Sequence, residues 1–107
     1  MQSVSNGEKY SFFQDTKLPD EDKAVLAEVF VSVEVFSKQH KIECEVKKWD
    51  DTTFCMMFDS DDEHLFYLLR LHAQLQIGMA NKMLENAGKD QQFKLDHRDR
   101  MLFVCFS

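Results

Sequence analysis

The segment IECEVKKWDDTTFCMMFD, residues 42–59, decides the fold, because two apolar alternations in it are separated by a polar turn. Apolar side chains at every second position are typical of half-buried strands. A three-residue connection at 50–52 would place Val46 beside Met56 and put the strongest apolar residues on one face. A two-residue turn would set Glu45 beside Met56 instead. The segment therefore predicts an antiparallel hairpin with the first of these registers.

Helices are predicted on both sides of this hairpin. Residues 18–41 begin with a proline and three acids, which suit the positive end of a helix dipole, and continue with apolar residues at helical spacing. Four valines in this segment also alternate as a strand would, but about 20 residues is too long for one strand. Residues 60–88 begin with the capping-box pattern of Ser60 and Glu63 and end at Gly88.

Strands are predicted near both ends of the chain, at 9–14 and at 101–106. The order of elements is then βαββαβ, that of a ferredoxin-like sandwich in the α+β class. Two helices would cover one face of an antiparallel sheet. Residues 92–96 could add an extra C-terminal hairpin strand. We expect residues 1–8 to form a flexible tail and residues 9–107 to form a single domain.

Composition sets the broad class of the protein. The 107 residues are 44% hydrophobic and 30% charged, values typical of one globular domain. No apolar run approaches the ~18–20 residues that cross a membrane, and the first nine residues lack a signal-peptide pattern. The three cysteines have no disulfide-framework spacing, so they are expected to be reduced thiols. We therefore expect a cytoplasmic protein with no membrane partner.

The net charge of −6 is unevenly distributed. Residues 1–63 carry 15 acids and 7 bases, whereas residues 64–107 carry 4 acids and 6 bases. An acidic chain is poorly suited to binding a phosphate backbone, so no nucleic-acid partner is expected. It is suited to a basic protein surface. Two other interpretations stay open: a solvated acidic face, and mimicry of nucleic acid.

The predicted fold leaves one sheet face without helices, and that face carries apolar residues. Exposed apolar patches of several hundred Å² usually mark interfaces. The alternative is that residues 1–8 or 89–97 cover the face. The predicted interface consists of Trp49, Cys55, Met57, Phe103 and Cys105. The predicted acidic rim beside it consists of Asp50, Asp51, Asp61 and Asp62.

The second predicted helix holds one polar pair of interest. Its apolar arc is centred on Leu65, Leu69, Met79, Ala80 and Met83. His72 and Gln76 lie four residues apart inside this arc. They would line a small-molecule pocket or, as the alternative, form a satisfied polar pair in the core. The histidines and cysteines lack metal-ligand spacing, and no phosphate-binding loop or nucleophile motif is present. No catalytic residue, metal or cofactor is predicted.

These patterns favour binding over catalysis. We expect a small acidic protein that acts by protein–protein interaction, in the manner of an inhibitor, immunity protein, antitoxin or adaptor. Its partner would be another protein, a second copy in a homodimer, or both. The alternative function is a dimeric α+β barrel, either an enzyme or a binder of a small apolar ligand, with a pocket at the dimer centre.

Overall fold

The computed structural model describes residues 18–90 and 92–106. Within these ranges two helices and a four-stranded antiparallel sheet confirm the α+β class. Neither of these helices has the length and apolar character needed to cross a membrane. The predicted tail at 1–8 and the predicted strand at 9–14 lie outside the described residues. The elements are α1 (Asp20–Gln39), β1 (Glu43–Asp50), β2 (Thr53–Asp59), α2 (Glu63–Asn86), β3 (Phe93–Arg98) and β4 (Met101–Phe106).

The strands lie in the order β1-β2-β4-β3, and every neighbouring pair is antiparallel. Val46 lies opposite Met56, which confirms the predicted register of the first hairpin. The predicted three-residue connection at 50–52 is wrong, because Asp50 pairs with Thr53 and only Asp51 and Thr52 connect the strands. The register shifts between Lys48 and Asp50, so Trp49 occupies an irregular position before the turn. The charged strand β1 lies at one edge of the sheet, where its charges discourage further pairing.

The second hairpin forms the other edge of the sheet. β3 pairs with β4 in the plane of the sheet, so residues 93–98 extend the open face and do not cover it. The side chain of Asn81 on α2 holds the start of β3. Its amide nitrogen donates to the carbonyl oxygen of Phe93 (2.9 Å), and its oxygen accepts from the Phe93 N–H (2.7 Å). These two bonds fix the edge strand to the helix layer.

The core lies between the two helices and the inner face of the sheet. Phe54 and Met56 on β2 and Leu102 and Val104 on β4 are fully buried there, as is Phe30 on α1. The rings of Phe30 and Phe54 meet edge to face with centroids 5.9 Å apart. Each such side chain contributes about 1.5–3 kcal/mol through its removal from water.

The start of α2 differs from the sequence prediction. The N-cap is Asp62, whose Oδ1 accepts hydrogen bonds from the backbone N–H groups of His64 (2.9 Å) and Leu65 (3.2 Å). Ser60 was expected in this role, but its hydroxyl oxygen accepts from the N–H of Asp62 in the preceding turn. The predicted stop is confirmed, because Gly88 follows the helix with φ of 76°, a value that favours glycine.

The buried face of α2 is also rotated from the predicted apolar arc. Met79 and Met83 were placed at the centre of that arc, but both side chains are about half exposed. Two alanines and three larger apolar residues face the core in their place. The buried positions of this helix are Leu69, Ala73, Ile77, Ala80 and Leu84.

A charged group joins the end of α2 to the start of α1. Lys89 Nζ lies 3.0 Å from Glu21 Oε2 and 3.5 Å from Asp22 Oδ1. The carboxylate of Asp22 is fully buried. Hydrogen bonding to Glu21 is the main cause that raises the pKa of Lys89, so the ammonium stays charged beside both acids.

The cap of α2 provides a test of this local structure. Asp62→Ala removes the acceptor of two backbone N–H groups and is expected to lower the free energy of unfolding by about 1 kcal/mol. Asp62→Asn keeps an acceptor and is expected to stay within a few tenths of the wild type. Urea denaturation followed by circular dichroism measures both values. A larger loss in Ser60→Ala than in Asp62→Ala would restore Ser60 as the cap.

Candidate interaction surface on the open sheet face

The helix-free side of the two central strands is apolar. Cys55 on β2 lies directly opposite Phe103 on β4, and Met57 lies opposite Met101. Facing residues of adjacent strands have Cβ atoms about 4.5–5.5 Å apart, so these side chains are in contact range. Together with Cys105 they form one continuous strip, which we name the apolar strip.

Trp49 extends this strip from the edge of the sheet. Alternation along β1 places Trp49 on the same face as Glu45 and Lys47, next to the register shift that ends the strand. Its ring meets that of Phe103 edge to face, with centroids 5.2 Å apart and planes at 81°. The side chain of Trp49 is nevertheless 60% exposed. An exposed indole held by a second aromatic ring is a preorganised anchor for a partner.

A surface cleft of about 260 Å³ opens beside these two rings. Its aromatic side is formed by Trp49 and Phe103, and charged residues from both edge strands stand around it. Asp50 at its margin accepts hydrogen bonds from the N–H and the hydroxyl of Thr52. The backbone hydrogen bond from Thr52 is the main cause that lowers the pKa of Asp50, so this carboxylate remains ionised. The remaining lining residues are Thr53, Asp96, Arg98 and Cys105.

The five predicted interface residues share this face, but they differ in accessibility. Met57, Phe103 and Cys105 are half-buried, and Trp49 is exposed. Cys55 is only 2% exposed, so its side chain is covered on this face and is not itself accessible to a partner. Burial raises the pKa of the Cys55 thiol, an effect that the nearby Lys47 ammonium partly opposes.

The predicted acidic rim consists of two separate pairs of residues. Asp50 and Asp51 lie at the turn between β1 and β2, whereas Asp61 and Asp62 lie between β2 and α2. The seven residues of β2 separate the pairs by roughly 20 Å. The second pair also has structural roles, because Asp62 caps α2 and Asp61 lies 3.7 Å from Arg100. Only the first pair borders the apolar strip.

His72 and Gln76 lie on the side of α2 near α1. His72 Nε2 and Ser32 Oγ are joined by a hydrogen bond of 2.9 Å, and the imidazole stacks on Phe36 with ring centroids 4.5 Å apart. Both His72 and Gln76 are half-buried. The clefts described here are lined by other residues. In this position His72 joins the two helices, as expected of a satisfied polar group.

A second cleft, of about 470 Å³, lies between the start of α2 and the turn after β3. Arg70 in its wall donates from Nη1 to His97 Nε2 at 2.9 Å, and its guanidinium lies 5.2 Å from the Tyr67 ring centroid. Acidic residues, Glu63 and Asp99, line the same cleft. With Arg100, which also lines the cleft, two arginines and two acids face one another there, so their charges balance. Among the described residues, no three His, Cys, Asp or Glu side chains are grouped to hold a metal ion.

Sequence reasoning missed one surface on the outer side of α2. Five large apolar side chains there are 41–62% exposed. Their constant spacing of four residues was the available signal, because positions four apart share one helix face. We name this surface the α2 ridge. It consists of Tyr67, Leu71, Leu75, Met79 and Met83.

The accessibility difference between two thiols of the open face is testable. Alkylation by iodoacetamide at pH 8 is expected to be on the order of tenfold slower or more at Cys55 than at Cys105, since Cys55 is covered and its thiolate is disfavoured. Mass spectrometry of two variants, each retaining one of these cysteines, measures both rates. Equal alkylation rates are expected in urea, where the chain is unfolded. Equal rates in the folded protein would contradict the burial of Cys55.

No known protein-family model matches this chain, and no curated protein or solved structure is significantly similar to it. No relative therefore supplies a function, and the geometry of the described residues carries the functional argument.

Proposed function

We propose that this chain binds another protein through its open sheet face, in the manner of an inhibitor, immunity protein, antitoxin or adaptor. The observation that carries the proposal is the exposed Trp49, held edge to face by Phe103 at the end of the apolar strip. Tryptophan is enriched among the residues that dominate binding energy at protein interfaces. In an isolated domain this indole would leave its apolar surface in water, whereas a partner that covers it would bury that surface.

The layout of charges supports a protein partner. The apolar strip lies on the two central strands, and charged side chains of the edge strands flank it on both sides. This is the usual arrangement of an interface, with an apolar centre and a polar rim. The flanking residues are Glu43, Glu45 and Lys47 on β1, and Lys94, Asp96 and Arg98 on β3.

The cleft beside Trp49 defines the chemistry of the contact. Its aromatic side suits an apolar side chain, and the ionised Asp50 and Asp96 at its margin suit a basic group beside that side chain. Arg98 would pair with an acid of the partner. We therefore infer a partner segment that presents an apolar anchor with a Lys or Arg next to it. Such charges mainly set the specificity and the association rate.

The alternative of a barrel enzyme or small-ligand binder has weaker support. Small-molecule pockets are mainly apolar, with volumes of about 300–1,000 Å³. The cleft beside Trp49 measures about 260 Å³ and has charged margins, and the larger cleft at the start of α2, of about 470 Å³, is lined mostly by charged or polar residues. The predicted pocket residue His72 is engaged by Ser32 and Phe36. Mimicry of nucleic acid is likewise less supported, because the two acidic pairs lie at opposite ends of β2.

The ferredoxin-like order βαββαβ stays our prediction for the whole chain, since its first strand at 9–14 lies outside the described residues. From α1 onward the described elements follow this order, with β3 as the additional hairpin strand. The described sheet differs from a ferredoxin-like one in its strand order, because β2 pairs with β1 on one side and with β4 on the other. A first strand would therefore join this sheet at an edge, beside β1 or β3, and not at its centre. A cytoplasmic location also remains part of the proposal.

Site-specific photocrosslinking tests the partner surface directly. A benzophenone amino acid replaces Trp49 or Met57 on the open face, or the exposed Val35 on α1 as a matched control. In cells of the source organism, both open-face positions are expected to crosslink to the same protein, identified by mass spectrometry. An excess of wild-type chain should compete for this adduct, and Phe103→Glu chain should not. With the isolated partner, Trp49→Ala is expected to weaken binding by about thirtyfold.

Two results would contradict the proposal. One is an adduct formed at position 35 but at neither open-face position. The other is equal competition by the wild type and by Phe103→Glu, provided that circular dichroism shows the variant to be folded.

A further inference from the structure

The α2 ridge is a second apolar surface, and it lies on the other side of the molecule from the open sheet face. Leu75 at its centre is 62% exposed, and Tyr67 and Met83 mark its ends. The opposite side of α2 packs on the core through Ala73 and Ile77. The ridge therefore remains exposed after the described part of the chain has packed its core.

The middle of this helix also lacks charge. From Leu71 to Asn81 the sequence LHAQLQIGMAN contains no Asp, Glu, Lys or Arg, although the chain as a whole is 30% charged. Arg70 and Lys82 stand at the two ends of this stretch. Helix faces in solvent normally carry charged side chains, and charge depletion is typical of interface centres.

Gly78 is the third observation that points to a partner on this helix. It lies beside the ridge, is exposed, and has ordinary helical φ. A Cβ atom added there would meet nothing within 4 Å. Glycine is among the least favourable residues inside a helix, so its presence has no explanation in contacts within the described chain. A second helix that approaches closely would explain it.

We propose that the α2 ridge binds a second copy of this chain, with the two α2 helices packed antiparallel across a two-fold axis at Leu75. The ridge is symmetric about this residue, because apolar side chains lie four and eight positions away on each side. Leu71 would face Met79 of the partner subunit, and Tyr67 would face Met83 of the partner subunit. Rows of residues four apart interdigitate at a crossing angle of about −50°.

Area and charge both favour a second copy over a different protein. The ridge exposes on the order of 500 Å² of apolar surface, within the range of the largest patch on a monomer, and such patches are often functional. Two copies would bury about 1,000 Å² from the ridges alone, at the lower limit for a specific interface, before flanking residues are counted. The net charge of −6 makes copies repel one another, but 15 of the 19 acids precede residue 64. The neutral stretch of α2 therefore brings no charged side chain of its own to a contact between two copies.

The arrangement has a consequence for binding, which rests on the proposed function of the open face. Since the helices cover one side of the sheet, dimers formed through α2 would leave both open faces directed outward. Each dimer would then present two partner sites. A partner with two or more linked target segments would bind with increased avidity.

Light scattering after size exclusion tests the dimer. The wild type is expected at twice the chain mass of 12.6 kDa. Leu75→Lys is expected at the monomer mass, with at least a hundredfold weaker association. Trp49→Lys is the matched control, because its side chain is equally exposed but lies on the other face. It should remain dimeric, and circular dichroism checks that both variants are folded.

Gly78→Ala provides a second test, in which a loss of dimer cannot be attributed to misfolding. In the Leu75→Lys background it is expected to raise the melting temperature, because alanine favours the helix. In the otherwise wild-type chain it should weaken dimerisation at least fivefold by blocking close approach. A melting temperature that rises without any loss of dimer would overturn the close-approach geometry.

Other outcomes separate this inference from the proposed function. A wild-type monomer at all concentrations overturns the dimer and leaves crosslinking from positions 49 and 57 unaffected. A dimer that is lost in Trp49→Lys but kept in Leu75→Lys assigns self-association to the open face, and it overturns the present inference. Loss of the crosslinks with the α2 dimer intact overturns only the proposed function.

Discussion

The pairing of Val46 with Met56 is the constraint on which the other features depend. Side chains alternate between the two faces of a strand, so a slip of one residue would move Met56 and Phe54 out of the core and Cys55 and Met57 into it. The same pairing sets the position of β2 against β4, where Phe54 meets Val104. Both the core and the apolar strip therefore follow from one hairpin register.

This register was predictable because its physical signal is strong and local. Pairing Val46 with Met56 keeps charged Glu45 away from Met56, and burial of an unpaired carboxylate is costly. The turn length was not predictable in this way, because a register shift between Lys48 and Asp50 combines this pairing with a two-residue connection. The extent of α1 and the stop at Gly88 were predictable for similar local reasons. The N-cap of α2 was not, because Ser60, Asp61 and Asp62 are all good capping residues in succession. The choice among them depends on where β2 ends, and that position is set by tertiary packing.

The orientation of α2 could not be obtained from hydrophobicity alone. This helix has large apolar residues on both sides, since Leu69, Ile77 and Leu84 lie with Ala73 and Ala80 on its inner side. An average weighted by hydrophobicity therefore does not distinguish the inner side from the outer side. Small residues let a helix approach a sheet closely, so their burial reflects packing distance and not hydrophobicity. The same weighting hid the α2 ridge, because its residues were assigned to the core.

The two apolar surfaces, the apolar strip and the α2 ridge, lie on opposite sides of the molecule. Exposed apolar area on both sides of a thin α+β sandwich would favour indefinite association, since each face offers a separate contact. Two features oppose this. The apolar strip is confined to the central strands by charged edge strands, and the acids of the first 63 residues make copies repel one another at distance. In the proposed dimer the charge-free residues 71–81 would lie at the contact, which limits this repulsion there. Electrostatics would then favour self-association at the helix face and leave the open sheet face, with its ionised Asp50, for the proposed partner of complementary charge.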